Sequence, residues 1–141
     1  MFKVIFCIII SYLLGNISGG MIFGKLLFNK DIRDYGSKNA GTTNALRVFG
    51  IKAGALTFIV DVLKSLLACF IGMKLLGLSG ILLAGIFVVI GHNWPIFLNF
   101  KGGKGIASSF GFIMFLDYKI AIVAIIIFII IVILTKYISL G

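Results

Sequence analysis

The chain has no glutamate, only four aspartates, one proline, one histidine and two cysteines in its 141 residues. Cys7 and Cys69 both fall inside apolar runs with no metal-ligand spacing between them, so they read as small buried hydrophobes. Neither a disulfide nor a catalytic thiol is expected, and the residues suggest no metal and no cofactor. Charge of any kind is scarce at 12%, against 61% hydrophobic residues and a mean hydropathy of +1.23. That balance excludes an ordinary soluble domain and points to an integral membrane protein, read as a single membrane-embedded domain over residues 1–141. The first apolar run continues past Gly15 and Asn16 without a cleavage site, so it is expected to remain as a span. No internal repeat is visible, which weakens a transporter built from inverted repeats.

The scarcity of acid leaves 11 Lys and 2 Arg to set a net charge of +9. In a membrane protein such an excess reports topology and anionic headgroups, and no nucleic acid partner is expected. Apolar runs bounded by Gly, Asn, Pro and charge predict five helices: Val4 to Phe28, Ala53 to Met73, Leu78 to about Asn93, Gly105 to Leu116 and Ile120 to Thr135. The fold class is therefore all-α, a polytopic helical bundle. An odd number of spans puts nine of the basic residues on one side and three (Lys3, Lys74, Lys119) on the other. The positive-inside bias then sets the N-terminus outside, the C-terminus in the cytoplasm and loops 29–52 and 94–104 cytoplasmic. The fourth segment, 12 residues long, would rise only about 18 Å as a helix, too little to cross a bilayer alone. With Pro95 disfavouring helix at Trp94, it predicts a short, partly re-entrant helix at the cytoplasmic mouth.

Two polar stretches interrupt the hydrocarbon, "YGSKNAGTTNALRVFG" at 35–50 and "GHNWPIFLNFKGGKGIASS" at 91–109. The first offers Ser37, Asn39, Thr42, Thr43 and Asn44 around Arg47, whose planar fork of donors suits phosphate. Turn and cap residues beside a topology charge would leave the same pattern. The second fails the G-x-x-x-x-G-K-[ST] spacing of a nucleotide-binding loop, since Leu98 lies five before Gly103 and Gly105 follows Lys104. It still combines Lys101 and Lys104 with Gly102, Gly103 and Gly105 at the start of a helix, a sensible anion site; the alternative is a positive-inside loop without a ligand. His92 is read as part of that site's wall. Asp61 and Lys64 lie three apart inside a span and are expected to pair as a structural brace.

"YLLGN", "GSKNAGTTNALR", "DVLKS" and "GHNWPIFLNFKGGKGIAS" together resemble the bacterial acyl-phosphate-dependent glycerol-3-phosphate acyltransferase family, the PlsY family, in order and spacing along nearly the whole chain. The resemblance implies acyl transfer from acyl phosphate to glycerol 3-phosphate, giving lysophosphatidate in phospholipid biosynthesis at the inner membrane. It implies catalytic roles for Ser37, Asn39, Thr43, Asn44 and Arg47, and substrate binding by Lys101, Gly102, Gly103, Lys104, Gly105 and His92. Asp61 and Lys64 take supporting roles. Membrane lipids and a soluble phosphate acyltransferase supplying acyl phosphate are the implied partners. The family pattern continues, after a turn like Ser139-Leu140-Gly141, to a third cytoplasmic block with His, Asn and Glu. A chain ending before that block is expected to have much reduced activity by itself. The alternative is an inactive or fragmentary membrane protein that binds anionic lipid or phosphate without turnover.

Overall fold

The computed structural model describes residues 1–136. Every regular element among them is helical: α1 (Phe2–Gly15), α2 (Gly19–Phe28), α3 (Thr42–Phe49), α4 (Ile51–Asn93), α5 (Ile106–Leu116) and α6 (Tyr118–Thr135), with short 3-10 turns at Ile32–Asp34 and Ile96–Leu98. Among the described residues three stretches are long and apolar enough to cross a membrane: Phe2–Phe28, Ile51–Leu98 and Tyr118–Thr135. The protein is an all-helical integral membrane bundle.

The expected first span is present but broken. Asn16 turns its amide back onto the Tyr12 carbonyl at 2.6 Å, while the Ser18 hydroxyl caps α2 by accepting from the Met21 amide at 3.4 Å. Two short polar side chains thus end one helix and start the next.

Helix α4 is a hairpin, not a rod. A straight helix of 43 residues would be about 65 Å long. Gly77, at φ 61° and ψ −139°, reverses the chain so that arms 51–76 and 78–93 lie side by side. The backbones of Gly72 and Gly80 touch, and the Cys69 thiol reaches the Ile81 carbonyl at 3.9 Å. Helix α1 packs against the second arm in the same manner, with Gly15 and Gly91 leaving room for backbone contact. Small residues at such crossings let helices pack closely where the lipid offers no hydrophobic drive.

Helix α5 enters through Gly105, which has φ 80°, and lies between the arms: Gly111 rests on Val62 and Ser65 of the first, and Phe112 covers Gly85 of the second. Its 11 residues rise about 17 Å, the short element that the sequence predicts. Helix α6 follows directly, started by the Asp117 carboxylate accepting from the Lys119 amide at 2.8 Å. It is apolar all round and buries only Ala121. The loops 29–41 and 94–105 meet at one end, joined by the Ala40 amide donating to the Gly102 carbonyl at 3.5 Å. The Ser139-Leu140-Gly141 turn lies outside the described residues.

Candidate active site

Between α2 and α3 the chain is knotted by polar contacts. Asp31 and Arg33 pair in a fork, Nε to Oδ1 at 3.0 Å and Nη2 to Oδ2 at 2.7 Å, while Nη1 donates to the Leu98 carbonyl at 3.0 Å. This clips the first polar loop to the second. The hydrogen bond from Arg33 holds the Asp31 carboxyl below its usual range, and Asp31 in turn raises the Arg33 guanidinium. Asn44, 1% exposed, accepts from the Ser37 amide at 2.9 Å and donates to the carbonyls of Ile32, Tyr35 and Asn39 at 2.9–3.2 Å. Its side chain is fully used in shaping the loop. Asn39 likewise spends its Oδ1 on the Gly41 amide at 2.9 Å. With the loop fixed, Ser37 is presented beside Thr43 and Arg47, which share a face of α3 at i, i+4 spacing.

The facing wall is the stretch 92–107. The sequence reading expects the glycines to let an anion approach the backbone. The structure uses two of them differently: the amides of Gly102 and Gly103 donate to the carbonyls of Asn93 and His92 at 3.2 and 3.0 Å. A Cβ on Gly102 would strike His92 and Pro95, and one on Gly103 would strike the His92 ring. These glycines are thus needed for close packing against the end of α4. Beyond them, the first turn of α5 brings Ile106 and Ala107 to the cavity with amides that a helix start leaves free. Lys104 is exposed and borders the same space, whereas Lys101 is exposed away from it.

Underneath lies a buried polar cluster. Lys64 Nζ contacts Asp61 Oδ1 at 2.8 Å, His92 Nδ1 at 2.7 Å, and the carbonyls of Gly15 and Ile17 at 3.1 and 2.5 Å. The ammonium therefore also closes the break between α1 and α2, at the carbonyl end of α1 where a cation is favoured. Asp61 and His92 reach the cavity; Lys64 stands behind them.

The result is a cleft of about 510 Å³. Ser37, Asn39, Thr43, Asn44, Arg47, Asp61, His92, Lys104 and Gly105 line it, so most of the residues singled out in the sequence converge. Lys101, Gly102, Gly103 and Lys64 do not. Thr42, from the same polar stretch, lines it too, and Leu46, Phe58, Phe128 and Val132 do so without having been anticipated. Nothing in the sequence sets Phe58 or Phe128 apart from other span aromatics. The lining joins cationic and hydroxyl side chains suited to anions, Arg47, Lys104, Ser37 and Thr43, with apolar Leu46, Phe58, Phe128 and Val132. No group of three or more His, Cys, Asp or Glu placed to hold a metal occurs among the described residues.

Residues 5–141 match the profile of a family described as glycerol-3-phosphate acyltransferase. A glycerol-3-phosphate acyltransferase of Finegoldia magna is 52% identical over 133 residues, covering 94% of this chain and 67% of that protein. One from Clostridioides difficile is 46% identical over 146 residues, covering 99% of this chain and 72% of the other. The crystal structure of PlsY, an integral membrane glycerol 3-phosphate acyltransferase, in its glycerol 3-phosphate form superposes with a TM-score of 0.89 at 36% identity. It covers 97% of this chain and 69% of that one. The lysophosphatidic acid form gives 0.86 at 34%, covering 97% and 68%. The chain thus spans about two thirds of the length of these proteins.

Proposed function

The chain belongs to the glycerol-3-phosphate acyltransferase family, and from that premise we propose that its cleft transfers an acyl group from acyl phosphate to glycerol 3-phosphate, forming lysophosphatidate for phospholipid biosynthesis. The observation that carries the reading is the meeting of Arg47 and Lys104 in one cleft beside the apolar surface of Phe58, Phe128 and Val132. Two phosphates need two cations, and an acyl chain needs hydrocarbon.

An acyl phosphate is a mixed anhydride whose carbonyl carbon is already activated. The protein must hold two anions, orient a hydroxyl towards that carbon and stabilise charge as it gathers on the carbonyl oxygen. Arg47 and the hydroxyls of Ser37 and Thr43 serve the donor phosphate; Lys104, with the first-turn amides of α5, serves the glycerol phosphate. Asn44, with its amide spent on the loop, acts by positioning Ser37, and Gly102 and Gly103 act by seating the second wall on His92. Lys101 supplies field at the entrance. No cofactor enters the scheme.

The chain is a single membrane-embedded domain in this reading, with the cleft facing the cytoplasm of a bacterial inner membrane. The nine-to-three division of basic residues supports that orientation. The donor comes from a soluble phosphate acyltransferase. A donor comparison in lipid bilayers tests the scheme: ester forms with acyl phosphate and not with acyl-coenzyme A, and Lys104→Ala raises KM for glycerol 3-phosphate more than it lowers kcat. Equal use of both donors, or a Lys104→Ala variant with unchanged KM, overturns it.

A further inference from the structure

At the floor of the cleft, Asp61 is 0% exposed, and its Oδ2 has no hydrogen-bond partner among the described residues. Buried carboxylate oxygens in native structures are nearly always paired, so Oδ2 calls for a donor. Its neighbours cannot fill the gap. Lys64 Nζ has three protons for four acceptors already around it, one of them Asp61 Oδ1. His92 Nδ1 stands 3.6 Å from Oδ1, on the same side. The cleft is what remains open, because Asp61 is among the residues that line it.

Whatever meets Oδ2 from the cleft must bring a proton to donate. A fully ionised phosphate has none, and a carbonyl has none; a hydroxyl has one. The charges are also graded along the cavity, with Arg47 and Lys104 exposed and the carboxylate buried. With Arg47 taken by the donor phosphate, an acceptor with an anion at one end and a hydroxyl at the other is thereby oriented, phosphate towards Lys104 and hydroxyl towards the floor. We propose that Asp61 Oδ2 accepts a hydrogen bond from a hydroxyl of the polyol phosphate, making Asp61 a specificity-determining residue that fixes which end of the acceptor points inward. The assignment rests on the glycerol phosphate reading above. The Lys64 ammonium contacts Oδ1 at 2.8 Å and leaves Oδ2 as the acceptor offered to the ligand.

The test uses the full chain in lipid nanodiscs with glycerol 3-phosphate and propyl phosphate, which has no hydroxyl on its carbon chain. With four aspartates and no glutamate in the sequence, carboxylate bands in an infrared difference spectrum are few enough to assign. Glycerol 3-phosphate shifts one such band and propyl phosphate leaves it in place. Affinity for glycerol 3-phosphate exceeds that for propyl phosphate by about 10- to 100-fold, as for a hydrogen bond to a charged acceptor. In Asp61→Asn/Lys64→Met, which removes both charges together, the ratio falls to within about three-fold. Equal affinities in the native chain, or a band that moves alike with both ligands, overturn this inference alone. Binding of neither phosphate overturns the underlying reading and this inference with it.

Discussion

Gly103→Ala adds one methyl group, and the geometry makes it costly. The new Cβ would overlap His92 Nε2 and lie 2.7 and 2.9 Å from Cε1 and Cδ2. The ring cannot step aside freely, because its Nδ1 is tied to Lys64 Nζ at 2.7 Å and the residue is buried. Nor can the glycine segment slide, because the Gly103 amide is bonded to the His92 carbonyl at 3.0 Å. Forcing a group into a packed interior costs about 1–3 kcal/mol. Breaking the contact with the ammonium adds about 1.5–3 kcal/mol. The expected loss for the single variant is therefore about 2–5 kcal/mol, from overlapping rather than strictly additive causes. A double-mutant cycle isolates the cause. In a His92→Ala background the obstacle is gone, so Gly103→Ala costs below about 1 kcal/mol, a coupling of about 2 kcal/mol or more. Equilibrium unfolding of the four proteins in mixed micelles measures it. An equal cost in both backgrounds would show that the methyl group is not meeting this ring.

Other perturbations separate the remaining roles. Arg47→Ala lowers kcat/KM for acyl transfer by about 100-fold or more, and Arg47→Lys recovers only part of it because the planar fork is lost; initial rates check both. Asn44→Ala strips partners from the Ser37 amide and from three carbonyls and lowers stability by about 2–4 kcal/mol, read by unfolding, with activity falling alongside. Asp31→Asn tests the clip through pH. The folded-state pKa of Asp31 is depressed by Arg33, so the pair's stability is present above the unfolded carboxylate value of about 3.9 and is lost as pH falls through the lower folded value. Native protein should exceed the variant by about 1 kcal/mol at neutral pH, with the gap closing below that range; a gap independent of pH contradicts the assignment.

Much of this architecture is legible because lipid imposes simple rules. Runs such as 120–135 need only their hydropathy and length to declare a helix, and Gly105 with Pro95 marks the irregular entry to the short one. The break at Asn16 to Ser18 is less visible, since its polar groups are satisfied inside a run that reads as continuous. The reversal at Gly77 is legible as the break between the helices expected at 53–73 and 78–93, marked by Lys74 and a lone glycine, while the positive φ is a property of the folded hairpin. At the site, residues with charge or hydroxyl groups stand out against hydrocarbon, so Arg47, Lys104 and Ser37 are found. Their apolar complement, Phe58 and Phe128, is not, because an aromatic facing a cleft and one facing lipid have the same sequence signature. The glycines of 102–103 show the opposite error: permissive backbone is read as room for a ligand, whereas His92 occupies that room.

Acyl transfer by this cleft is tested by formation of lysophosphatidate from acyl phosphate and labelled glycerol 3-phosphate, measured in bilayers for the chain alone and after co-expression with the part of the Finegoldia magna protein that the match leaves uncovered. Product is expected in the co-expressed arrangement at a rate at least about ten-fold above the same arrangement carrying Arg47→Ala. Product no higher than with Arg47→Ala in either arrangement would contradict acyl transfer by this cleft.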